Sequence, residues 1–367
     1  MDNLVKLDAK RSGTRAEELD KGLRARVIGQ DRALKTVVSM YEVFSAGLSN
    51  PARPIGSFLF LGPTGSGKTK VVESAAEIFF GKEQAMMKIN CGEYQHSHEI
   101  AKLIGSPPGY LGHRETKPIF AQASLAACCN ADYDFTLILF DEIEKASDAL
   151  WQLMLGILDK GQLSMGDGAT TDFRRTIIFM TSNLGAREIK SLQEGGIGFA
   201  LSAQQSVQAQ DDTDQKIYRT ASDAAKKRFS PEFINRIDKI VVFRTLTEDH
   251  LRQILDLELA LVQKRIDELA LDPFSFQCTQ DAKDFLLAEG LDPKYGARHL
   301  KRSIERFLVH PLARLIATQQ VVLGSKLVVH LEDGELEFYR DDVNGNSPYQ
   351  FVYGSQAEPK VFAELQM

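Results

Sequence analysis

One stretch limits what this chain can fold into more than any other, and it reads Gly62-Pro63-Thr64-Gly65-Ser66-Gly67-Lys68-Thr69. It matches the pattern G-x-x-x-x-G-K-[ST] at every fixed position. Residues 57–61 before it form an apolar run of strand length, and the apolar residues of 70–80 after it recur at helical spacing. Strand, glycine loop and helix in this order are typical of a phosphate-binding loop. A glycine-rich turn could match the pattern by chance, but chance would not supply both neighbours.

The glycines of this loop allow the backbone to curl until its N–H groups point inward at an anion. The N-terminus of the following helix adds partial positive charge. Lys68 would then reach the β- and γ-phosphates of a nucleoside triphosphate, and the Thr69 hydroxyl would bind Mg²⁺. The loop therefore predicts a site for ATP and Mg²⁺.

A second apolar run, residues 135–140, ends in two carboxylates, Asp141 and Glu142. Acids at the carboxyl end of a parallel strand lie where ligands bind in open α/β sheets. We expect Asp141 to hold Mg²⁺ through water and Glu142 to act as the general base on the attacking water. The alternative is that Asp141 only caps the helix predicted over residues 146–158.

A third buried strand, predicted over residues 176–182, ends in Asn183. Its amide could orient a water near the γ-phosphate, or Asn183 could be a turn residue. The apolar Tyr110 and Leu111 lie among glycines and prolines on a loop, where they are either ligand contacts or buried anchors. Arg236 is a charge in a core-like stretch, and the simplest interpretation is a solvated or salt-bridged arginine.

Composition narrows the class of protein. The 367 residues are 43% hydrophobic and 26% charged, which is typical of a soluble globular protein with two or three domains. A net charge of −6 argues against a nucleic-acid scaffold. The N-terminus lacks the apolar core of a signal peptide, and no run is long enough to span a membrane. Four cysteines without zinc-type spacing predict a reduced, cytoplasmic protein.

The order of the segments predicts an α/β fold in which a parallel sheet is sandwiched by helices, followed by a smaller, mostly helical α+β domain. The predicted boundaries are a lead-in at 1–25, a large nucleotide-binding domain at 26–245, a small domain at 246–340 and a tail at 341–367. Among the local predictions are a helix over residues 117–130 and a long exposed loop over 190–215.

Seven stretches in series resemble the Clp family of AAA+ unfoldases, most closely the C-terminal ATPase module of ClpB, ClpA and ClpC. The resemblance covers about residues 26–339. The stretches that carry it are Val27-Ile28-Gly29-Gln30, the glycine loop, Pro107-Pro108-Gly109-Tyr110-Leu111-Gly112, Leu139-Phe140-Asp141-Glu142-Ile143-Glu144-Lys145, Thr181-Ser182-Asn183, Pro231-Glu232-Phe233-Ile234-Asn235-Arg236-Ile237-Asp238 and Tyr295-Gly296-Ala297-Arg298.

The resemblance implies roles for several side chains around ATP. Val27 and Ile28 would pack on adenine. Asn183 matches the first sensor residue, and Arg298 matches the second sensor on the small domain. Arg236 matches the arginine finger, which reaches the γ-phosphate held by a neighbouring subunit. Such proteins work as rings of identical subunits, usually hexamers.

The resemblance also implies a mechanical function. Tyr110, with Leu111, matches the pore loop that grips an unfolded protein, and ATP hydrolysis would rotate the small domain against the large one and move this loop along the ring axis. Residues 113–118 depart from the family pattern, which usually has acidic residues and a glycine pair there. Because the resemblance is to a single ATPase module, substrate choice is expected to lie in the lead-in, the tail or a separate adaptor.

Ile197-Gly198-Phe199 resembles the apolar tripeptide with which some Clp members dock a peptidase ring, whereas ClpB-type members lack it. Three functions thus stay open from the sequence. The first is an ATP-driven protein unfoldase, alone or feeding a peptidase. The second is a nucleotide-dependent module that remodels one partner complex without threading. The third, a motor on nucleic acid, is disfavoured by the acidic net charge.

Overall fold

The structure is a computed structural model, and it describes residues 8–9, 11–106, 118–130, 132–186, 188–189, 207–268, 274–290, 297–321 and 324–341, with the backbone alone over 207–214. The chain divides into two compact units. One comprises residues 1–257 and 290–302, and the other comprises 258–289 and 303–367. The predicted domain boundaries at residues 25, 245 and 340 stay predictions.

The helices of the described chain are α1 Thr14–Arg24, α2 Asp31–Ser45, α3 Lys68–Phe80, α4 Ala101–Ile104, α5 Gln122–Ala126, α6 Asp148–Lys160, α7 Val207–Arg228, α8 Pro231–Asn235, α9 Glu248–Asp267, α10 Gln280–Gly290, α11 Ala297–Ile304 and α12 His310–Ala317. The strands are β1 Gly56–Leu61, β2 Met87–Asn90, β3 Thr136–Asp141, β4 Gln162–Ser164, β5 Thr170–Asp172, β6 Thr176–Ser182, β7 Lys239–Val242, β8 Ser275–Cys278, β9 Lys326–Glu332 and β10 Glu335–Asp341. Among the described residues, no helix has both the length and the apolar character needed to cross a membrane.

The larger unit is built on a five-stranded parallel sheet with the strand order β2-β3-β6-β1-β7. Every residue of β1 and β6 is buried, as expected for strands covered on both faces. Successive residues of β1 enter different hydrophobic clusters, Leu59 and Leu61 on one side and Phe58 and Phe60 on the other. The sheet is therefore the middle layer between two cores.

The parallel arrangement gathers the carboxyl ends of the strands at one edge of the sheet. The end of β1 leads into the glycine loop, β3 ends at Asp141, and β6 ends one residue before Asn183. Open α/β sheets bind ligands at this edge, where the strand order changes direction. The fold thus collects three segments that are far apart in the sequence.

The smaller unit contains a three-stranded sheet with the order β10-β9-β8. β8 pairs with β9 in parallel, and β9 and β10 form an antiparallel hairpin. Asp333 and Gly334 at its turn both have positive φ, as a tight two-residue hairpin turn requires. Helices from this unit complete it, and Phe285 meets Phe307 edge to face at 5.2 Å between ring centroids.

Two local predictions are wrong in part. Within the described part of the helix predicted over 117–130, residues 118–130, the chain is helical only at Gln122–Ala126. Further along, the side-chain oxygen of Asn130 accepts from the backbone N–H groups of Asp132 and Tyr133 and closes a turn that no helix could continue through. The loop predicted over 190–215 is wrong for its last part, because α7 already begins at Val207.

Candidate functional site

The glycine loop is shaped by three glycines with positive φ, namely Gly62 at 144°, Gly65 at 76° and Gly67 at 96°. Only glycine adopts such angles without strain. Gly62 is also constrained by space, since an added Cβ would lie 2.7 Å from the carbonyl oxygen of Phe243. The loop runs directly into α3, whose first residue is Lys68. Its curled backbone and the helix N-terminus together favour an anion.

Lys68 is buried, and its ammonium group has three acceptors. Nζ donates to the carbonyl oxygens of Gly62 and Pro63, both at 2.8 Å, and to Oδ1 of Asn183 at 3.0 Å. An ammonium group has three N–H donors, and three acceptors satisfy it. The loop carbonyls therefore hold the Lys68 ammonium group over the loop, and a bound phosphate would compete with them for its N–H donors.

Burial also changes the acidity of this lysine. The pKa of Lys68 is lowered from its ordinary 10.5 to about 8, chiefly because burial disfavours the charged form. The nearby carboxylates of Glu144, Asp141 and Glu142 oppose the shift, and the positive charge of Arg298 adds to it. Lys68 therefore stays mostly charged at pH 7 and loses its proton as the pH rises through about 8.

Asp141 lies at the end of β3, where its side chain is fixed by Thr181 of the neighbouring strand. The Thr181 hydroxyl donates to Oδ1 of Asp141 at 2.5 Å. Nζ of Lys88 lies 4.0 Å from Oδ2 of Asp141. The Asp141 side chain is 27% exposed. An oriented and accessible carboxylate of this kind suits a hydrated Mg²⁺ ion.

Glu142 has left-handed backbone geometry, with φ 58° and ψ 50°. A non-glycine residue rarely adopts these angles, and such strain is concentrated at functional sites. The backbone N–H of Glu142 donates to Oγ1 of Thr181 at 3.0 Å. Its carboxylate accepts from Nζ of Lys145 at 2.5 Å and from Nδ2 of Asn183 at 3.5 Å.

Asn183 joins the glycine loop to the end of β3. Its Oδ1 accepts from Lys68, and also from Oγ1 of Thr64 at 3.4 Å. Its Nδ2 faces Glu142. The side chain therefore does more than form a turn, because it bridges the buried lysine and the carboxylate predicted to act as the base.

Glu144 was not singled out as a site residue from the sequence, yet it contacts the site directly. Oε1 of Glu144 accepts from the backbone N–H of Asn183 at 3.1 Å. A carboxylate two residues after Glu142 carries no local signal of this bond, because the partner lies 39 residues away in the sequence. Only the pairing of β3 with β6 brings the two together.

Gln30 is a second contact that sequence reasoning passed over. It is buried, and its amide nitrogen donates to the carbonyl oxygens of Ser66 and Arg244, both at 3.0 Å. Its amide oxygen accepts from the N–H of Arg244 at 3.2 Å. Gln30 thus ties the segment that carries Val27 and Ile28 to the glycine loop. Val27 is buried in the core and Ile28 is half-buried.

Arg236 lies outside the core and is held by two acids of its own chain. Nε lies 3.5 Å from Oδ1 of Asp159, and Nη1 lies 2.8 Å from Oε1 of Glu232. The side chain is 24% exposed. The guanidinium of Arg236 is thus held by its own chain and still partly accessible to solvent.

Arg298, in the first turn of α11, is exposed. Its positive charge adds slightly to the lowering of the Lys68 pKa, which burial mainly causes. Thr69 is half-buried in the first turn of α3. Tyr110 and Leu111, and the tripeptide Ile197-Gly198-Phe199, lie outside the described residues.

These features define a class of protein: a P-loop nucleotide-binding module with acids and an amide at the carboxyl edge of a parallel sheet. Among the described residues, no group of three or more His, Cys, Asp or Glu side chains could hold a metal ion. Mg²⁺ in such modules is usually bound by one or two protein oxygens together with the phosphates, and Thr69 with Asp141 fits that donor set.

Comparison with known proteins narrows the class. The family model described as "AAA domain (Cdc48 subfamily)" matches residues 53–240. The model described as "C-terminal, D2-small domain, of ClpB protein" matches residues 246–329. The chain belongs to the Clp family of AAA+ ATPases, as the sequence predicts.

Curated relatives agree with this assignment. The chain is 38% identical over 325 residues to "Chaperone protein ClpB 1" of Synechocystis sp., which covers 88% of this chain and 33% of that protein. It is 38% identical over 324 residues to "ATP-dependent Clp protease ATP-binding subunit ClpA homolog" of Porphyra purpurea, which covers 87% of this chain and 37% of that protein. The chain thus spans about a third of the length of these relatives.

A solved structure shows the same fold. The chain matches a closed-state cryo-EM reconstruction of Hsp104 with ATPγS and FITC casein, with a TM-score of 0.72 and 31% identity over 89% of this chain and 52% of that one. The predicted fold, a parallel-sheet AAA+ domain with a smaller C-terminal domain, is confirmed. The class of enzyme that the sequence predicts, an ATPase, is that of the family.

Proposed function

We propose that this chain is the ATPase module of a Clp-type protein unfoldase, which binds ATP with Mg²⁺ and hydrolyses it at the contact between neighbouring copies. The observation that carries the proposal is the hydrogen-bonded set of Lys68, Asn183 and Glu142 at the carboxyl edge of the sheet. These contacts bring an ammonium group, an amide and a carboxylate together beside the glycine loop, which supports a role for them in binding phosphate, orienting water and accepting its proton.

In the proposed reaction, water attacks the γ-phosphorus of ATP, and the bond between this phosphorus and the β,γ-bridging oxygen breaks. Glu142 takes the proton from the attacking water, and Asn183 orients that water. Lys68 moves from the loop carbonyls to the β- and γ-phosphates and stabilises their charge. Val27 and Ile28 are proposed to contact the adenine ring.

Mg²⁺, when bound, neutralises charge on the phosphates. Thr69 and Asp141 are the residues that would hold it. Thr181 orients Asp141 for this role through its hydroxyl, which already donates to Oδ1. Oδ2 of Asp141, which lies 4.0 Å from Nζ of Lys88, would be the oxygen that meets the water shell of the ion.

Each nucleotide is proposed to be sensed by two arginines, Arg298 of the chain that binds it and Arg236 of a neighbouring copy. Arg298 would contact the phosphates in its own chain, in keeping with the electrostatic influence of its charge on Lys68. Arg236 would leave Asp159 and Glu232 and reach the γ-phosphate held by the next copy. A finger supplied in trans requires a head-to-tail ring, for which we propose a hexamer.

A mixing experiment tests this arrangement. Arg236→Ala and Lys68→Met are each expected to lose turnover, because one lacks the finger and the other the phosphate lysine. The Arg236→Ala chain keeps an intact loop, and the Lys68→Met chain keeps an intact finger. When the two are mixed in equal amounts, about a quarter of the contacts between neighbours join an intact loop to an intact finger. We therefore expect the mixture to regain ATP turnover that neither variant shows alone, measured as phosphate release.

The control is Arg175→Ala, which removes an exposed arginine paired with Asp134 and should keep normal turnover. Phosphate release by the mixture that stays at the level of the separate variants, despite exchange of labelled subunits between assemblies, would show that Arg236 does not act across a contact. Full turnover by Arg236→Ala alone would exclude a finger role.

The pKa of Lys68 predicts how nucleotide affinity depends on pH. Phosphates bind the ammonium form, and in the free protein this form is lost as pH rises through about 8. We expect the affinity for ADP to fall about tenfold between pH 7 and pH 9, as measured by calorimetry. Lys68→Arg, which stays charged, should show no such fall, and a wild-type affinity that is flat over this range would contradict the burial effect.

The substrate is proposed to be an unfolded or partner protein. The casein in the Hsp104 reconstruction and the chaperone names of the relatives support this class. Tyr110 and Leu111 are proposed to grip the chain in the ring pore. Docking of a Clp-type peptidase through Ile197-Gly198-Phe199 stays a prediction, supported by the ClpA-type name of one relative.

A further inference from the structure

The short turn after Glu142, residues 143–145, is hydrogen-bonded both to the site and to the end of α7. We propose that Glu144 is a positioning residue that fixes Asn183, and that Arg228 holds Glu144 in place. This inference rests on the proposed ATPase function, because it concerns how that site is kept in order.

The first step is the bond between Glu144 and Asn183. Oε1 of Glu144 accepts from the backbone N–H of Asn183 at 3.1 Å, and the side chain of the same Asn183 meets Lys68 and Glu142. A bond to a carboxylate is stronger than one between neutral groups. Fixing the backbone at Asn183 therefore fixes the direction in which its amide points.

The second oxygen of Glu144 shows that this carboxylate is confined. Oε2 is buried and has no hydrogen-bond partner within the described part of the chain. A buried carboxylate oxygen without a partner is costly, so its position needs a structural explanation. Glu144 could become hydrated if residues 143–145 rotated outward. Contacts that keep this turn in place are therefore required.

Arg228 and Trp151 hold the turn. Nη2 of Arg228 donates to the carbonyl oxygen of Glu144 at 2.9 Å, and Nε1 of Trp151 donates to the carbonyl oxygen of Ile143 at 3.1 Å. The guanidinium of Arg228 also lies over the Trp151 ring, 4.3 Å from its centroid. Arg228 and Trp151 thus contact each other and donate to the carbonyl oxygens of two successive residues, Glu144 and Ile143.

Arg228 also lies close in the sequence to the segment that carries Arg236. Arg228 ends α7, and the next residue, Phe229, packs on Trp151 at 5.2 Å and on Phe233 of α8 at 5.4 Å. Arg236 follows α8 directly. The segment that presents Arg236 to a neighbour therefore contacts the turn that positions Asn183 in its own site.

Two substitutions of Glu144 test the positioning role. Glu144→Ala removes the acceptor for the Asn183 N–H, and we expect kcat for ATP to fall about tenfold or more with little change in KM. Glu144→Gln keeps an acceptor oxygen of the same reach and should restore turnover to within a few-fold of wild type. Equal loss in both variants, or none in Glu144→Ala, would overturn the proposal.

A double substitution tests whether Arg228 acts through Glu144. Arg228→Ala alone is expected to lower kcat several-fold, and in the Glu144→Ala background it should have almost no added effect, because the carboxylate it positions is gone. Independent, multiplying losses would overturn this step. Lys227→Ala, which removes the neighbouring exposed lysine of α7, is the matched control and should keep wild-type turnover.

Hydrogen exchange separates this inference from the proposed function. The Asn183 amide should exchange slowly in wild type and faster in Glu144→Ala and Arg228→Ala, whether or not the chain hydrolyses ATP. Absence of turnover in wild type would refute the proposed function, whereas unchanged exchange at Asn183 would refute the positioning role. Folded state is checked by the unfolding temperature of each variant.

Discussion

Replacing Glu142 by glutamine is expected to abolish ATP turnover and leave ATP binding intact. The loss should be at least about a hundredfold, because glutamine cannot take the proton from the attacking water. Binding should survive because the phosphate contacts are proposed for the glycine loop and Lys68, and glutamine keeps the size of the side chain. Phosphate release measures the loss, and retention of bound ATP after gel filtration measures the binding.

The local geometry sharpens this experiment. Glutamine keeps a carbonyl oxygen for Nδ2 of Asn183 and loses only the charge that pairs with Lys145. Glu17→Gln, at an exposed acid in the first turn of α1, is the control and should behave as wild type. A Glu142→Gln protein that hydrolyses ATP at the normal rate would refute the assignment of the base.

Replacing Lys68 by methionine is expected to abolish nucleotide binding, with affinity for ADP reduced at least about a hundredfold. Methionine matches the length and apolar stem of lysine but carries no charge for the phosphates. Calorimetry should then show no heat of ADP binding. ADP should also no longer raise the unfolding temperature, as we expect it to do in wild type. Lys70→Met is the control, because Lys70 lies on the same helix as Lys68 but pairs with Glu83 beyond the helix end, and this variant should bind ADP normally.

Wild type and Lys68→Met, compared without nucleotide, test the burial of the Lys68 ammonium group. The pKa of Lys68 is lowered to about 8 in the folded protein, so between pH 8 and its ordinary 10.5 the unfolded chain holds a proton that the folded chain has lost. The free energy of unfolding of wild type should therefore rise with pH across this window. Relative to Lys68→Met, we expect a gain of up to about 3 kcal/mol, and a constant difference would contradict the lowered pKa.

The sequence allowed the sheet and its edge to be predicted because both depend on local patterns. Continuous apolar runs identify β1, β3 and β6 as buried strands, and the residues that follow each run then fall on one edge. The glycine pattern is local as well, since each glycine is needed for its own φ angle. The predicted elements around Lys68, Glu142 and Asn183 follow from these patterns alone.

Contacts between distant segments could not be predicted in this way. Glu144 and Gln30 each reach a backbone group that the chain brings close only after folding, 39 and 36 residues away in the sequence. The bond of Lys68 to Asn183 crosses 115 residues. The roles of Arg236 and Arg298 came from the family resemblance, and they stay proposals, as do those of Tyr110 and Leu111.

The left-handed backbone at Glu142 has a consequence for the two neighbouring acids. Adjacent side chains of a regular strand point to opposite faces, which would send one of these acids into the core beneath the sheet. Asp141 still follows the strand, whereas the reversal of φ at Glu142 lets the next carboxylate stay above the edge. Two successive acids can thus both face the proposed ATP site, and the backbone reversal that allows this occurs at the second of them.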